Sequence, residues 1–156
     1  MDEVSEGYFG NPLACICEGG KTLHKLTNLE MIEKAKTVLR PRELCLGNSA
    51  GDVACALLSS NGNLYLGVCI DISSGIGFCA EHSAVAAMIT AGESGIAKIV
   101  AVWGEDTVLP PCGRCRELMY QIDSSNLDSA DVILGENTVV KLRDLIPHPC
   151  YEVWGK

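Results

Sequence analysis

Two short stretches of sequence decide what this chain can be: Cys79–Glu81, which reads CAE, and Pro111–Cys115, which reads PCGRC. Each lies where a segment that predicts a helix begins after an apolar, strand-like segment. A helix N-terminus presents free N–H groups and the positive end of the helix dipole, and both stabilise a thiolate. Because two helix starts at the same edge of a sheet can converge, we expect these cysteines to lie together.

The three cysteines of these stretches, Cys79, Cys112 and Cys115, predict a zinc site. Thiolates are frequent zinc ligands, and the Cys-x-x-Cys spacing is that of a zinc knuckle. Three protein ligands leave the fourth tetrahedral position open for water, as in catalytic zinc sites. The alternative is a structural site, closed by a fourth Cys or His from elsewhere in the chain.

Glu81 is the candidate catalytic residue. It follows Cys79 by two positions, so it can reach the metal region without being a ligand. Zinc lowers the pKa of a bound water to roughly 7, and a carboxylate beside that water can move its proton to a ring nitrogen and a leaving amine. The alternative is a solvated helix carboxylate, but the Ala and Val residues around Glu81 favour an inward face.

The rest of the chain predicts strands that alternate with helices. Thr27–Glu30 has the form of a capping box at the start of a helix over 28–40. Apolar runs flank the turn Ser59–Gly62, which predicts an antiparallel hairpin. The remaining predicted elements are helices over 80–91 and 112–122, strands over 97–103 and 132–134, and a short helix over 139–145. Since both faces of such a sheet must be covered, we expect an α/β fold of three layers with a mixed sheet.

Length and composition favour one domain without a membrane span. The chain has 156 residues, of which 47% are hydrophobic and 21% charged. We read residues 1–26 as an irregular N-terminal extension and 27–156 as the domain. No apolar run approaches the roughly 20 residues that cross a bilayer, and the acidic N-terminus does not look like a secretory signal. We therefore expect a cytoplasmic protein.

The charge balance and the cysteine pattern exclude further classes. The net charge is −8 with 12 scattered Lys and Arg residues, which argues against a nucleic-acid partner and favours a small substrate. Nine unevenly spaced cysteines do not predict a disulfide framework. Cys15 and Cys17 could form a second metal site, but we read them as loop thiols.

The CAE and PCGRC motifs resemble the zinc-dependent cytidine deaminase superfamily, in which a non-ligand Glu acts as acid and base. The resemblance covers about residues 28–156 and is closest to the small nucleoside branch, which holds cytidine deaminase and blasticidin-S deaminase. It implies a three-layer α/β/α sandwich with a mixed five-stranded sheet and one Zn²⁺ per chain. It also implies hydrolytic deamination of a cytosine nucleoside or a nucleoside-like compound, in a homo-oligomer, with a tetramer favoured.

The resemblance also implies a set of substrate contacts. Cys69 and Asp71 stand where cytidine deaminases hold the ribose with Asn and Glu, and Gly51 stands where they carry Phe. Ala80, beside the catalytic Glu, is a further expected contact. The tail resembles the blasticidin-S type, which makes Tyr151 and Trp154 candidate ring-stacking residues.

Two residues beside the motifs have expected roles around the metal. We expect Arg114 either to hydrogen-bond a zinc thiolate or to be an ordinary surface arginine. His82 stands where cytidine deaminases usually carry Arg, and we expect it to pack near the site without binding the metal.

Three functional alternatives remain. The first is a nucleoside deaminase, the second a blasticidin-S-type antibiotic deaminase, and the third an inactive zinc-stabilised binding module. The presence of Glu81 favours an enzyme over the binding module, because an inactive relative would be expected to lose it.

Overall fold

The computed structural model describes residues 26–104 and 107–152. Its strands are β1 (Arg42–Glu43), β2 (Ser49–Ser59), β3 (Leu64–Asp71), β4 (Ile96–Trp103), β5 (Thr107–Leu109), β6 (Asp131–Gly135) and β7 (Thr138–Lys141). Its α-helices are α1 (Asn28–Lys36), α2 (Ala80–Thr90), α3 (Gly113–Ile122), α4 (Asn126–Ser129) and α5 (Leu142–Leu145). The predicted extension 1–26, with Cys15 and Cys17, lies almost entirely outside the described residues.

The strands form one mixed sheet, as predicted. Strands β2 and β3 make the expected antiparallel hairpin, and β4 pairs antiparallel with the other side of β2. Strand β6 then runs parallel to β4, and β7 returns antiparallel to β6. The short strands β1 and β5 add to β2 and β4, so the described part of the sheet has seven strands where the resemblance implied five.

Helices cover both faces of this sheet, so the predicted three-layer α/β class is confirmed. Alternate residues of β2 point to opposite faces: Ala54, Ala56 and Leu58 belong to the core cluster beneath α1. Cys55 and Leu57 belong to the second cluster, which includes residues of α2 and α3.

The start of α1 agrees with its predicted capping box. The Thr27 hydroxyl accepts a hydrogen bond from the Glu30 N–H at 3.2 Å, and the Thr27 N–H donates to Glu30 Oε2 at 2.8 Å. These reciprocal bonds satisfy N–H groups that a helix start leaves unpaired.

The predicted helix over 139–145 is wrong in its first half. Residues Thr138–Lys141 pair with β6 as strand β7, and only Leu142–Leu145 is helical. The β-branched residues at 138–140 suit an extended strand, and β6 ends only two residues earlier, so β6 and β7 form a hairpin across Glu136 and Asn137.

Two contacts place the helices that carry the motifs. A Cβ on Gly67 of β3 would lie 2.4 Å from the Ala84 nitrogen and 2.5 Å from the Ala80 carbonyl oxygen, so α2 packs directly on β3. The fully buried Asn126 side chain accepts from the Ile96 N–H at 2.7 Å and donates to the Met119 carbonyl at 2.9 Å. It thereby joins the start of β4 to α3.

No helix within residues 26–104 and 107–152 is long and apolar enough to span a membrane.

Candidate metal and active site

Two helix starts meet at one edge of the sheet and bring the predicted thiols together. Cys79 is the N-cap of α2 and Cys112 is the N-cap of α3, both with extended backbone. The Cys79 sulfur lies 3.6 Å from that of Cys112, which lies 3.4 Å from that of Cys115. The Cys79 sulfur accepts no capping hydrogen bond from its own helix.

These distances suit a tetrahedral metal site. Zinc–sulfur bonds of about 2.3 Å place two sulfur ligands of a tetrahedron about 3.8 Å apart. The two measured sulfur–sulfur distances, 3.6 and 3.4 Å, are slightly shorter than this. The thiols therefore need to separate by only a few tenths of an ångström to hold such an ion.

His82 contributes a fourth donor atom near this cluster. Its Nδ1 lies 3.5 Å from the Cys115 sulfur, and the donor atoms of Cys79, His82 and Cys115 all lie within 4.8 Å of one another. The sequence placed His82 beside the site but not among its donors. The available signal was the spacing, because a residue three positions after the N-cap of a helix lies on the same side of its first turn.

Electrostatics within the cluster favour a cation. Burial, followed by the negative charge of Glu81, raises the pKa of the Cys115 thiol. Burial likewise raises the pKa of Cys79, and the nearby Cys112 adds to the effect. Because the groups would repel one another as anions, a bound divalent cation would make their joint ionisation favourable.

Cys112 differs from the other two thiols. Burial alone would raise its pKa, but backbone N–H groups of Cys115 and Arg114 donate to its sulfur, and its pKa is lowered overall. This is the thiolate stabilisation expected at a helix N-terminus.

Glu81 lies inside the protein, next to the thiols. It is 4% exposed, and burial raises its pKa, although hydrogen bonds from its own backbone N–H and from Cys115 oppose that change. The inward face expected from the sequence is therefore present. A carboxyl with a raised pKa holds a proton more readily near neutral pH, as an acid–base group must.

Cys79, Cys112 and Glu81 line one open cavity of about 800 Å³, and Cys115 lies buried behind them. Cys69, Asp71 and Ala80, the three expected substrate contacts that precede Glu81, line it too. The sequence reasoning missed Asp52, Phe78 and Trp103, which also line this cavity. Of these three residues, only Phe78 could have been predicted from the sequence, because it directly precedes Cys79.

Cys69 and Gly51, where the resemblance implied Asn and Phe, each have a local structural role. The Cys69 sulfur accepts a hydrogen bond from the Val53 N–H at 3.2 Å, where the pairing of β2 with β3 shifts register. Gly51 has φ +84°, and a Cβ there would lie 2.2 Å from the Arg40 carbonyl oxygen. The backbone at position 51 thus favours glycine and excludes a bulky side chain in this conformation.

Of the remaining site residues expected from the sequence, the structure brings Arg114 to the cavity but not Tyr151. Arg114 lines it, but its Nη1 donates to the Gly77 carbonyl at 3.4 Å, so its bond to a zinc thiolate stays a prediction. Tyr151 is 48% exposed, and its backbone N–H donates to Glu117 Oε1 at 3.3 Å. It is not among the described residues of the cavity wall. Trp154 lies outside the described residues.

Comparison with known proteins gives relatives of one kind. No protein-family model matches the chain. A cytidine deaminase from Mycobacterium tuberculosis is 33% identical over 76 residues, which cover 48% of this chain and 57% of the relative. The chain thus matches a little over half the length of its curated relatives.

Solved structures extend the similarity over most of the chain. The cytidine deaminase from Mycobacterium leprae superposes with a TM-score of 0.65 at 25% identity, covering 80% of this chain and 100% of that one. The cytidine deaminase from Burkholderia pseudomallei superposes with a TM-score of 0.64 at 26% identity, covering 80% of this chain and 99% of that one. The cytidine deaminase from Mycobacterium tuberculosis superposes with a TM-score of 0.66, covering 81% of this chain and 98% of that one. At 24% identity, this match shows a similarity of fold alone. The chain is therefore related in sequence and in fold to the cytidine deaminases, which confirms the resemblance seen in the CAE and PCGRC motifs.

Proposed function

We propose that the protein catalyses the hydrolytic deamination of a cytosine nucleoside or a nucleoside-like compound. One observation carries this proposal: the buried Glu81, whose pKa is raised, lines the same open cavity as Cys79 and Cys112, two thiols of the cluster. A structural metal site would not need a carboxyl group at its side. The relatives are named cytidine deaminases, which supports the same reaction.

Cys79, Cys112 and Cys115 are the proposed ligands of one zinc ion. When bound, zinc acts as a Lewis acid and makes water a nucleophile near neutral pH. The short distances among the three sulfurs support this assignment, and the N–H groups at the start of α3 favour the thiolate form of Cys112.

Glu81 is the proposed proton carrier. Its carboxylate carries the two protons of the attacking water one after the other, the first to the ring nitrogen and the second to the departing amino group. The water oxygen becomes the new carbonyl oxygen, and the carbon–nitrogen bond breaks to release ammonia. Burial serves this role because a raised pKa lets the carboxyl group both take and return a proton at neutral pH.

A second candidate function, the inactive binding module, depends on His82. If its Nδ1 bound the metal with the three sulfurs, the site would be closed to water and structural. The 3.5 Å distance to the Cys115 sulfur permits this arrangement. The buried Glu81 favours the enzyme. Identifying the atoms that coordinate the metal distinguishes the catalytic site from the structural one.

A substrate panel tests the proposed activity. The zinc-loaded protein is incubated with cytidine, deoxycytidine, cytosine and blasticidin S, and ammonia release is measured for each. We expect release from at least one of them, with plain cytidine not the best substrate, because Cys69 is engaged by the backbone and Asp71 is shorter than Glu. No release from any compound would contradict the proposal. Release from blasticidin S alone would select the antibiotic-deaminase alternative.

The assembly is also a proposal. We infer a homo-oligomer, with a tetramer favoured, from the relationship to the small nucleoside branch. Light scattering after gel filtration measures the mass directly, and a monomer at micromolar concentration would contradict this inference.

A further inference from the structure

Trp103 is an exposed aromatic residue in the wall of the proposed substrate cavity. It is the last residue of β4 and is 56% exposed, although its neighbour Val102 is 1% exposed. A large apolar ring left open to solvent within a cavity is a frequent feature of ligand sites.

The strand geometry directs Trp103 to the same side as the candidate metal site. Val102 points into the core beneath α1, so Ala101 and Trp103 share the opposite face of β4. Both Ala101 and Trp103 line the cavity, as does Val53, the residue that pairs with Trp103 on β2.

Depth within the cavity separates Trp103 from the proposed reaction centre. Glu81 is 4% exposed and Ala80 is fully buried, whereas Trp103 is more than half exposed. A substrate whose amino group reaches Glu81 therefore extends outward, and its opposite end lies nearer the mouth of the cavity. That end carries the substituent on the ring, which is the sugar in a nucleoside.

We propose that Trp103 is a specificity-determining residue that packs against the substituent on the cytosine ring. Its indole offers a flat apolar surface, so it favours a substituent with a planar or apolar face. This inference rests on the proposed function for the orientation of the substrate, but the contact itself can be measured without any reaction.

The test uses three ligands that differ only in the substituent: 1-methylcytosine, cytidine and 1-benzylcytosine. Binding is measured by calorimetry to the zinc-loaded Glu81→Gln protein, so that turnover does not interfere. Replacing Trp103 with Ala should lower the affinity for 1-benzylcytosine by about 5- to 150-fold, which is the usual contribution of one aromatic stacking contact. The same substitution should change the affinity for 1-methylcytosine by no more than about twofold, since the methyl group of that ligand is too small to pack against the indole.

Two further variants serve as controls. Trp103→Phe should restore most of the affinity for 1-benzylcytosine, because a flat ring is kept. Leu29→Ala removes an exposed apolar side chain from α1, on the other face of the sheet, and should change none of the three affinities.

Fluorescence reports the contact directly. The chain has two tryptophans, so Trp154→Phe leaves Trp103 as the single one. We expect emission typical of an exposed indole that iodide quenches, and protection from iodide when 1-benzylcytosine binds. An indole that iodide cannot reach in the free protein would overturn the proposal, since another copy of the chain would then cover it.

The outcomes separate this inference from the proposed function. If Trp103→Ala lowers the affinity for all three ligands equally, or lowers none of them, the inference is refuted even if the wild-type protein releases ammonia. If the wild type releases no ammonia but Trp103→Ala selectively loses 1-benzylcytosine, the proposed function fails and the role of Trp103 stands. In an active enzyme the same substitution should raise KM for 1-benzylcytosine and leave kcat nearly unchanged.

Discussion

Replacing Glu81 with Gln separates the proposed proton transfer from every structural role of this residue. Glutamine has nearly the same size and shape, so the substitution leaves no cavity in a site that is 4% exposed. It also removes a negative charge that burial disfavours. We therefore expect the protein to fold at least as stably as the wild type.

The expected loss lies in the chemical step. General acid–base catalysis contributes about 10²- to 10⁴-fold, so kcat should fall at least ~100-fold, or about 2.7 kcal/mol in the activation barrier. Metal binding should persist, because the charge of Glu81 is one of the causes that raise the pKa of the Cys79 and Cys115 thiols. Removing that charge makes their ionisation easier.

The assay is ammonia release with the best substrate of the panel, together with zinc content and thermal unfolding for the same preparations. Glu33→Gln is the matched control: Glu33 is an exposed residue of α1 whose Oε1 lies 3.1 Å from the Lys36 Nζ, and its loss should not alter kcat. If Glu81→Gln turned over within about threefold of the wild type, with zinc bound, Glu81 would not carry the proton and the mechanism would be wrong.

Three further predictions follow from the same geometry. X-ray absorption should find one zinc with three sulfur ligands and one lighter atom. Cys112→Ser should reduce the sulfur count to two, and His82→Ala should leave the spectrum unchanged, whereas loss of an imidazole signal in that variant would support a closed structural site. In the metal-free protein the Glu81 pKa is raised above its unfolded value, so stability falls as pH rises from the unfolded pKa through the folded one. Urea unfolding in the presence of a chelator should show that the free energy of unfolding of Glu81→Gln increases relative to that of the wild type as pH rises through that range. A constant difference between the two free energies would contradict this. Gly67→Ala should destabilise the protein by about 1–3 kcal/mol, because the new Cβ would lie 2.4 Å from the Ala84 nitrogen, and an unchanged denaturation midpoint would show that α2 does not pack so closely.

Local patterns in the sequence determined much of this protein. The capping box at Thr27, the hairpin around the Ser59–Gly62 turn and the helix starts at Cys79 and Cys112 all depend on neighbours within a few residues. The alternation of strands and helices then predicted a three-layer fold, because a sheet with apolar residues on both faces must be covered on both sides.

Tertiary structure decided the features that depend on partners distant in the chain. Gly51 lies opposite the Arg40 carbonyl oxygen, so the reason for a glycine there is a backbone contact. The cavity brings Trp103 of β4 beside residues of α2, and a side chain's place in a cavity wall depends on sheet register and helix packing. Sequence spacing identifies which groups can carry the chemistry, but only the packed sheet determines which other side chains face them.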